Sequence, residues 1–259
     1  YIPIGEQPRY IVAEELNGDG IEDLAVAIWG QPTSEDNYPA GVIEVLYSNG
    51  STTIYDSPVA YSLGNAIQPT CIDFRPSGSG YFFMAVSNKA TNDVVVLKSE
   101  DYGTADVSFV MLDTVEVGCS PAWLAVIGSS VVVANEASGS FSYLIGTGWG
   151  TFTAVAEHML FIPEFDSPKA IASAGDQDND GSTDIFVLSH FTWEAKGVSA
   201  TILYTYTVES GPKFSFYRAE YYSTDETPFS LATGDFDQNG RQDAAIGFAT
   251  GSEVYVELY

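Results

Sequence analysis

Short apolar runs recur along the chain, and each is broken by Gly, Asn, Asp, Ser or Pro. Tyr10-Ile-Val-Ala13, Leu24-Ala-Val-Ala-Ile28, Ala170-Ile-Ala172, Ile185-Phe-Val-Leu-Ser189, Ser230-Leu-Ala232 and Ala244-Ala-Ile-Gly-Phe248 are of this kind. Short, β-rich and apolar, they read as buried strands. They come in pairs around an acidic loop, so each pair predicts a β-hairpin.

The pairs belong to a longer repeat. A proline followed by a short apolar strand stands at Pro8, Pro69, Pro121, Pro168 and Pro228, at intervals of 61, 52, 47 and 60 residues. A period near 50 is that of a β-propeller, in which each unit is one four-stranded blade. In the fourth unit the strands are expected at Ala170–Ala174, Ile185–Ser189, Val198–Thr207 and Lys213–Tyr222. The last unit has room for three, at Ser230–Gly234, Ala244–Phe248 and Glu253–Tyr259. Tyr1-Ile-Pro3-Ile-Gly-Glu-Gln-Pro8 matches Phe161-Ile-Pro163-Glu-Phe-Asp-Ser-Pro168 with both prolines in step. Residues 1–4 are therefore expected to pair with 253–259 and supply the missing strand, because a closed ring leaves no open sheet edge. The expected fold is all-β: one domain over 1–259, a five-bladed β-propeller of four-stranded antiparallel blades. The blades fall at about 8–63, 69–116, 121–163, 168–223, and 228–259 with 1–4. A seven-bladed ring would need about 100 more residues at this period.

The loops inside three of the hairpins carry the chemistry. Glu15-Leu-Asn17-Gly-Asp19-Gly20-Ile-Glu-Asp23, Asp176-Gln-Asp178-Asn-Asp180-Gly181-Ser-Thr-Asp184 and Asp235-Phe-Asp237-Gln-Asn239-Gly240-Arg-Gln-Asp243 place oxygen-bearing side chains at loop positions 1, 3, 5 and 9, with Gly at 6. A hard cation such as Ca²⁺ takes about six to eight oxygens, and alternate side chains of a tight loop converge on one point. The glycine supplies the left-handed turn that curls the chain. An EF-hand would need a Glu at position 12 and flanking helices, whereas here position 12 is Val26, Val187 or Ile246 and the flanks are strands. Three Ca²⁺ ions are expected, on Glu15, Asn17, Asp19 and Asp23, on Asp176, Asp178, Asp180 and Asp184, and on Asp235, Asp237, Asn239 and Asp243. The position-7 carbonyls of Ile21, Ser182 and Arg241 complete the three sets. The second and third units have Pro76-Ser-Gly-Ser-Gly80 and Ile127-Gly-Ser-Ser130 instead, and no ion is expected there.

These three loops, each between two strands, resemble the FG-GAP/VCBS repeats of integrin-like β-propellers. The blade pattern covers the whole chain, and the calcium motif three of five blades. Glu15 departs from the usual first Asp. The resemblance implies an extracellular recognition or adhesion module, with calcium loops on one face and partners on the other; some members are lectins or parts of carbohydrate-active enzymes.

Composition narrows the partners. With 35 Asp and Glu against nine Lys and Arg, the formal charge is −26. Three bound Ca²⁺ would leave about −20. Nucleic-acid binding rests on a basic surface, and anionic membranes are disfavoured on the same ground. Sixteen Tyr, 15 Phe and 24 Gly suit strands and turns, and no apolar run reaches the ~18 residues of a membrane-spanning helix. Cys71 and Cys119 are the only cysteines; two buried free thiols are the plain reading, a disulfide would also fit a secreted protein, and the sequence does not decide between them.

Catalytic patterns are thin. His158 and His190 are the only histidines, and neither sits in a Ser-His-Asp or Cys-His arrangement. Gly118-Cys-Ser120-Pro-Ala122 lacks the last Gly of a nucleophile elbow. The two longest loops between second and third strands bear Trp29, Tyr38, His190 and Trp193. Exposed aromatics beside Asn, Asp and Glu suit sugar stacking or a protein hot spot; packing over blade edges is the other reading of them. Asn49-Gly50-Ser51 matches a glycosylation acceptor. The sequence thus predicts a non-catalytic, calcium-stabilised extracellular module, secreted or at the cell surface, that binds a glycan or an extracellular protein on the face opposite the calcium loops. The alternatives are a carbohydrate-active enzyme on the same fold and a structural subunit of an extracellular assembly.

Overall fold

In the computed structural model the described residues are 2–30, 39–51, 54–77, 80–104, 106–128, 130–146, 152–158, 167–190, 199–207, 214–223, 228–248 and 254–257. All regular structure among them is β-strand. The first sheet runs in the order β1 (Pro8–Glu14), β2 (Asp23–Ile28), β3 (Val42–Leu46), β6 (Val59–Ser62). A small hairpin, β4 (Ser48–Ser51) with β5 (Ile54–Tyr55), is inserted before β6 and carries the Asn49-Gly50-Ser51 sequence. The second sheet is β7 (Pro69–Ser77), β8 (Tyr81–Asn88), β9 (Asp93–Glu100), β10 (Ser108–Glu116). The third is β11 (Pro121–Ile127), β12 (Ser130–Asn135), β13 (Ser140–Gly146), β14 (Phe152–His158). The fourth is β15 (Ser167–Gly175), β16 (Asp184–His190), β17 (Ser199–Thr207), β18 (Phe214–Ser223), and the fifth is β19 (Pro228–Gly234), β20 (Asp243–Phe248), β21 (Val254–Glu257). Each is a meander whose consecutive strands lie side by side, so each of the five repeats folds locally into one sheet.

The chain divides into two compact units, Tyr1–Pro121 with Gly146–Thr153, and Ala122–Ile145 with Ala154–Tyr259. In the first, the first and second sheets pack face to face. Ala25, Ala27, Ile43 and Val45 meet Ile72, Phe74, Met84, Val86, Val95 and Leu97 in one buried cluster. The alternate residues of β2, Val26 and Ile28, point to the opposite face and pack with Leu46 and Ile2. In the second unit the alternation repeats on β16. Ile185 and Val187 join Val132, Ala134 and Phe141; Phe186 and Leu188 join Leu231, Ala244 and Ile246. This period of two explains why the second strands read as continuous apolar runs: both of their faces are buried. Trp123 is half-buried and touches both clusters of the second unit, as a core tryptophan.

The prolines mark a repeated strand entry. Gln7, Gln68 and Ser120, each just before a proline, have φ of 58°, 61° and 57°. Directly after the proline the ladder register shifts, at Pro8/Tyr10, Pro69/Cys71, Pro168/Ala170 and Pro228/Ser230. Proline has no N–H for the ladder and favours such first or bulged positions. The bulged residues Arg9, Thr70 and Lys169 reach to neighbours. The Arg9 guanidinium lies 3.9 Å from the centre of the Trp29 ring, Thr70 Oγ1 donates to Pro121 O at 3.0 Å, and Lys169 pairs with Glu136.

One expectation changes. Residues 2–5 lie in no strand, and the fifth sheet has three described strands, so the anticipated pairing of 1–4 with 253–259 is absent among the described residues. Instead the N-terminal segment lies along the first sheet: Gly5 N donates to Glu44 Oε2 at 2.8 Å, and Trp29 N and Gly30 N donate to Gln7 O and Glu6 O. The in-step prolines mark a common strand entry, which does not require the preceding residues to be a strand. Cys71 is buried and Cys119 exposed, and they form no disulfide. No helix among the described residues is long and apolar enough to cross a membrane.

Asp93 is buried at the start of β9 and accepts a bond from Asn88 Nδ2 at 2.8 Å. Burial pushes its carboxyl above the ordinary aspartate value, against the pull of its bonds from Thr91 and Asn88, and Glu116 adds to the rise. A raised folded value means that the stabilising contribution is complete at low pH and is lost as pH rises through that value. Asp93→Asn should flatten this fall. Urea midpoints taken from pH 4 upward would check it, and parallel curves for the two proteins would count against it.

Candidate metal centre

The three acidic loops fold on one plan. Each joins the first strand of its sheet to the second, and each ends on a fully buried aspartate, Asp23, Asp184 or Asp243, at the head of the second strand. That aspartate accepts the amide of loop position 2: Leu16 N at 2.9 Å, Gln177 N at 2.8 Å and Phe236 N at 2.7 Å. The carboxylate closes the loop by replacing backbone partners that the tight turn removes. Positions 5 and 7 are also matched, since Ile21 N, Ser182 N and Arg241 N donate to Asp19, Asp180 and Asn239 at 2.7–2.8 Å. The position-6 glycines Gly20, Gly181 and Gly240 have φ of 84°, 87° and 90°, a conformation that side chains disfavour.

The first position separates the loops. Asp176 accepts the amides of Asp180 and Gly181 at 3.0 and 2.9 Å. Asp235 does the same with Asn239 and Gly240 at 2.9 and 2.8 Å. These bonds draw the position-1 carboxylate across the mouth of the loop. Carboxylate oxygens of Asp176, Asp178 and Asp184 then lie within 4.8 Å of one another, as do those of Asp235, Asp237 and Asp243. Asp178 Oδ2 is buried with no hydrogen-bond partner. An unpartnered buried anionic oxygen is costly, and a cation among three such carboxylates removes the cost. Both donor sets are all oxygen, which suits Ca²⁺ rather than a soft metal. Gln177 Nε2 donates to Ala174 O and, at 2.6 Å, to Gln242 O, tying the two loops together.

The first loop differs. Glu15 Oε1 accepts Asn17 N and Gly18 N, two and three residues on rather than four and five, and Oε2 accepts Tyr102 Oη at 2.9 Å. Asp19 Oδ2 accepts Ser48 Oγ at 3.0 Å, and Asp23 Oδ1 accepts Ser48 N at 2.7 Å. Burial pushes the Asp23 carboxyl up, against the pull of the Ser48 and Leu16 amides, and Asp19 and Glu15 add to the rise. Glu15, Asp19 and Asp23 do not make a third convergent triad; among the described residues the two triads above are those found. Asn17 and Asp19 instead wall a cavity of about 330 Å³ with Tyr47, Asp56 and Thr104. The Tyr102 contact lies 87 residues away in sequence and carries no local signal.

Of the aromatic residues considered for a partner surface, Trp29 is half-buried, and its Nε1 donates to Pro69 O at 2.7 Å beneath the Arg9 guanidinium. Its ring links the first and second sheets. Tyr38 and Trp193 lie outside the described residues, and His190 ends β16 with its side chain outside them. Replacing Trp29 by Phe removes the donor together with part of the indole's packing area, and should cost at least about 1 kcal/mol. A denaturant midpoint equal to that of the parent would show that Pro69 O does not need the indole.

No protein-family model matches this chain, and no curated protein does. Solved structures do. The periplasmic gluconolactonase PpgL of Pseudomonas aeruginosa matches with a TM-score of 0.60 at 18% identity, over 98% of this chain and 66% of that one. BBS1N, solved in complex with ARL6DN, matches with a TM-score of 0.58 at 10% identity, over 97% of this chain and 65% of that one. The chain thus spans just under two thirds of the length of either relative. Both are β-propellers, and at these identities the likeness is one of fold: the chain has an all-β, propeller-like architecture.

Proposed function

We propose that this chain is a calcium-stabilised β-propeller, with its five sheets as blades, that works outside the cell or at its surface as a recognition module for a glycan or a protein. The observation that carries the metal is the pair of triads, Asp176, Asp178, Asp184 and Asp235, Asp237, Asp243, each drawn together by the same backbone bonds. Asp180 and Asn239, at position 5, and the carbonyls of Ser182 and Arg241 complete the two donor sets. The ion's role is structural. It neutralises carboxylates that would otherwise repel, at the point where each hairpin turns.

A charge of −26 argues for a partner that is neutral or basic, and against nucleic acid. The BBS1N relative was solved with a protein partner, which is consistent with a binding role for such a fold. A second reading has the stronger comparison behind it. The PpgL relative is a gluconolactonase, and a carbohydrate-active enzyme on this fold, acting on a sugar lactone or related ester, fits that likeness better than adhesion does. These readings share the metal and part at the substrate.

Calcium at ten times its dissociation constant should stabilise by about 1.4 kcal/mol per site, raising the melting temperature. Asp178→Asn, which leaves the shape but removes a charge, should lose most of that gain at its loop. Calorimetric titration with no binding at millimolar calcium would end the metal reading. A glycan array in calcium and in chelator, beside a hydrolysis assay on gluconolactone, separates the two functions. Turnover would make the protein an enzyme, and retention on the array without turnover would make it a binding module.

A further inference from the structure

We propose that the first acidic loop, despite its calcium-like sequence, holds no cation and is a metal-independent clasp, so that calcium dependence is confined to the second unit. This rests on the calcium reading of the other two loops. All six carboxylate oxygens of Glu15, Asp19 and Asp23 already accept hydrogen bonds from the protein. In the Asp176 loop, by contrast, one buried oxygen has no partner. A cation entering the first loop would have to displace or share these donors, whereas in the Asp176 loop it satisfies an orphan. Asp235 and Asp237 also accept internal bonds, but their loop still gathers three carboxylates within 4.8 Å of one another, which Glu15, Asp19 and Asp23 do not do.

The reason lies in one methylene. Glu at position 1 is longer than Asp, and its carboxylate extends past the loop's mouth to the Tyr102 hydroxyl, in the turn between β9 and β10. The same turn approaches the loop at a second point. Gly103 N donates to Asn17 O at 3.0 Å, and Gly18 is so close that a Cβ there would stand 2.5 Å from Gly103 Cα. Gly18 also has φ of 88°, so the contact admits only glycine. Leu16, between these groups, is fully buried in the core shared by the first two sheets. Loop and turn are therefore fastened by a charge-assisted hydrogen bond, a backbone bond and a glycine contact. A charge-assisted bond is roughly twice as strong as a neutral one, which suits Glu15 to the fastening role that the ion has elsewhere.

The experiment counts ions and maps protection on the full chain. Native mass spectrometry in calcium should find two bound ions. Hydrogen exchange in calcium and in chelator should differ several-fold over residues 175–190 and 234–248, and should be unchanged over residues 14–28. A third ion, or calcium-dependent protection of residues 14–28, would overturn the proposal. Tyr102→Phe keeps the ring against Phe82, now 4.9 Å between centroids, and removes only the hydroxyl. It should speed exchange over residues 14–28 several-fold, equally with and without calcium. An unchanged rate would show that Glu15 is not committed to the clasp. Finding no ion at all would sink the calcium reading of the other two loops, while the Tyr102→Phe exchange rates would still decide the clasp.

Discussion

A buried aspartate at the head of a strand is the constraint from which the three hairpins take their form. Asp23, Asp184 and Asp243 are removed from water, and each turns a carboxylate oxygen back to the amide of loop position 2. Desolvating a carboxylate is costly unless donors or cations surround it. The loop exists to supply them: amides face inward, the glycine at position 6 permits the reversal, and other acids gather at the mouth. Because the same aspartate begins the second strand, the loop's geometry sets where the ladder starts, and hence which side chains of β2, β16 and β20 face which neighbour.

Three loops of one design reach two electrostatic outcomes. Around Asp184 and Asp243 the acids converge and leave an excess of negative charge at one point. Around Asp23 they disperse, with Ser48 and Tyr102 answering them individually. The choice follows from whether the first carboxylate bonds four and five residues ahead or two and three. A difference that looks conservative on paper, Glu for Asp, redirects a side chain to another part of the fold.

Much of the scaffold was legible in the sequence because it is written in local patterns. In the fourth unit the proline spacing and apolar runs anticipated β15 to β18 to within a few residues, and the loop motif picked out Asp23, Asp184 and Asp243 as cation ligands but not their burial or their bonds to the amide of position 2. Both signals repeat, and repetition separates them from chance. What was not legible is long-range. Nothing local to Glu15 announces Tyr102, and nothing local to Trp29 announces that its indole binds Pro69 O. The N-terminal match misled for a related reason. Two stretches shared the prolines that begin a strand, but residues 2–5 lie against Glu44, Val26 and Ile28 rather than in a ladder. The shared prolines carried a shared strand entry, and residues 2–5 before the first of them form no ladder.

The bulge after four of the opening prolines, Pro8, Pro69, Pro168 and Pro228, has a further consequence. It interrupts the alternation that binds every other strand position to a core face, so its side chain is released from packing duty. Arg9, Thr70 and Lys169 occupy it with different chemistry, and all reach the end of their sheets away from the acidic loops. The position recurs in four of the described sheets and in three of them holds a guanidinium, a hydroxyl or an ammonium, each with its own partner. The side chain there is chosen by the neighbour that each sheet meets rather than by the ladder, so one backbone irregularity serves different contacts in different repeats.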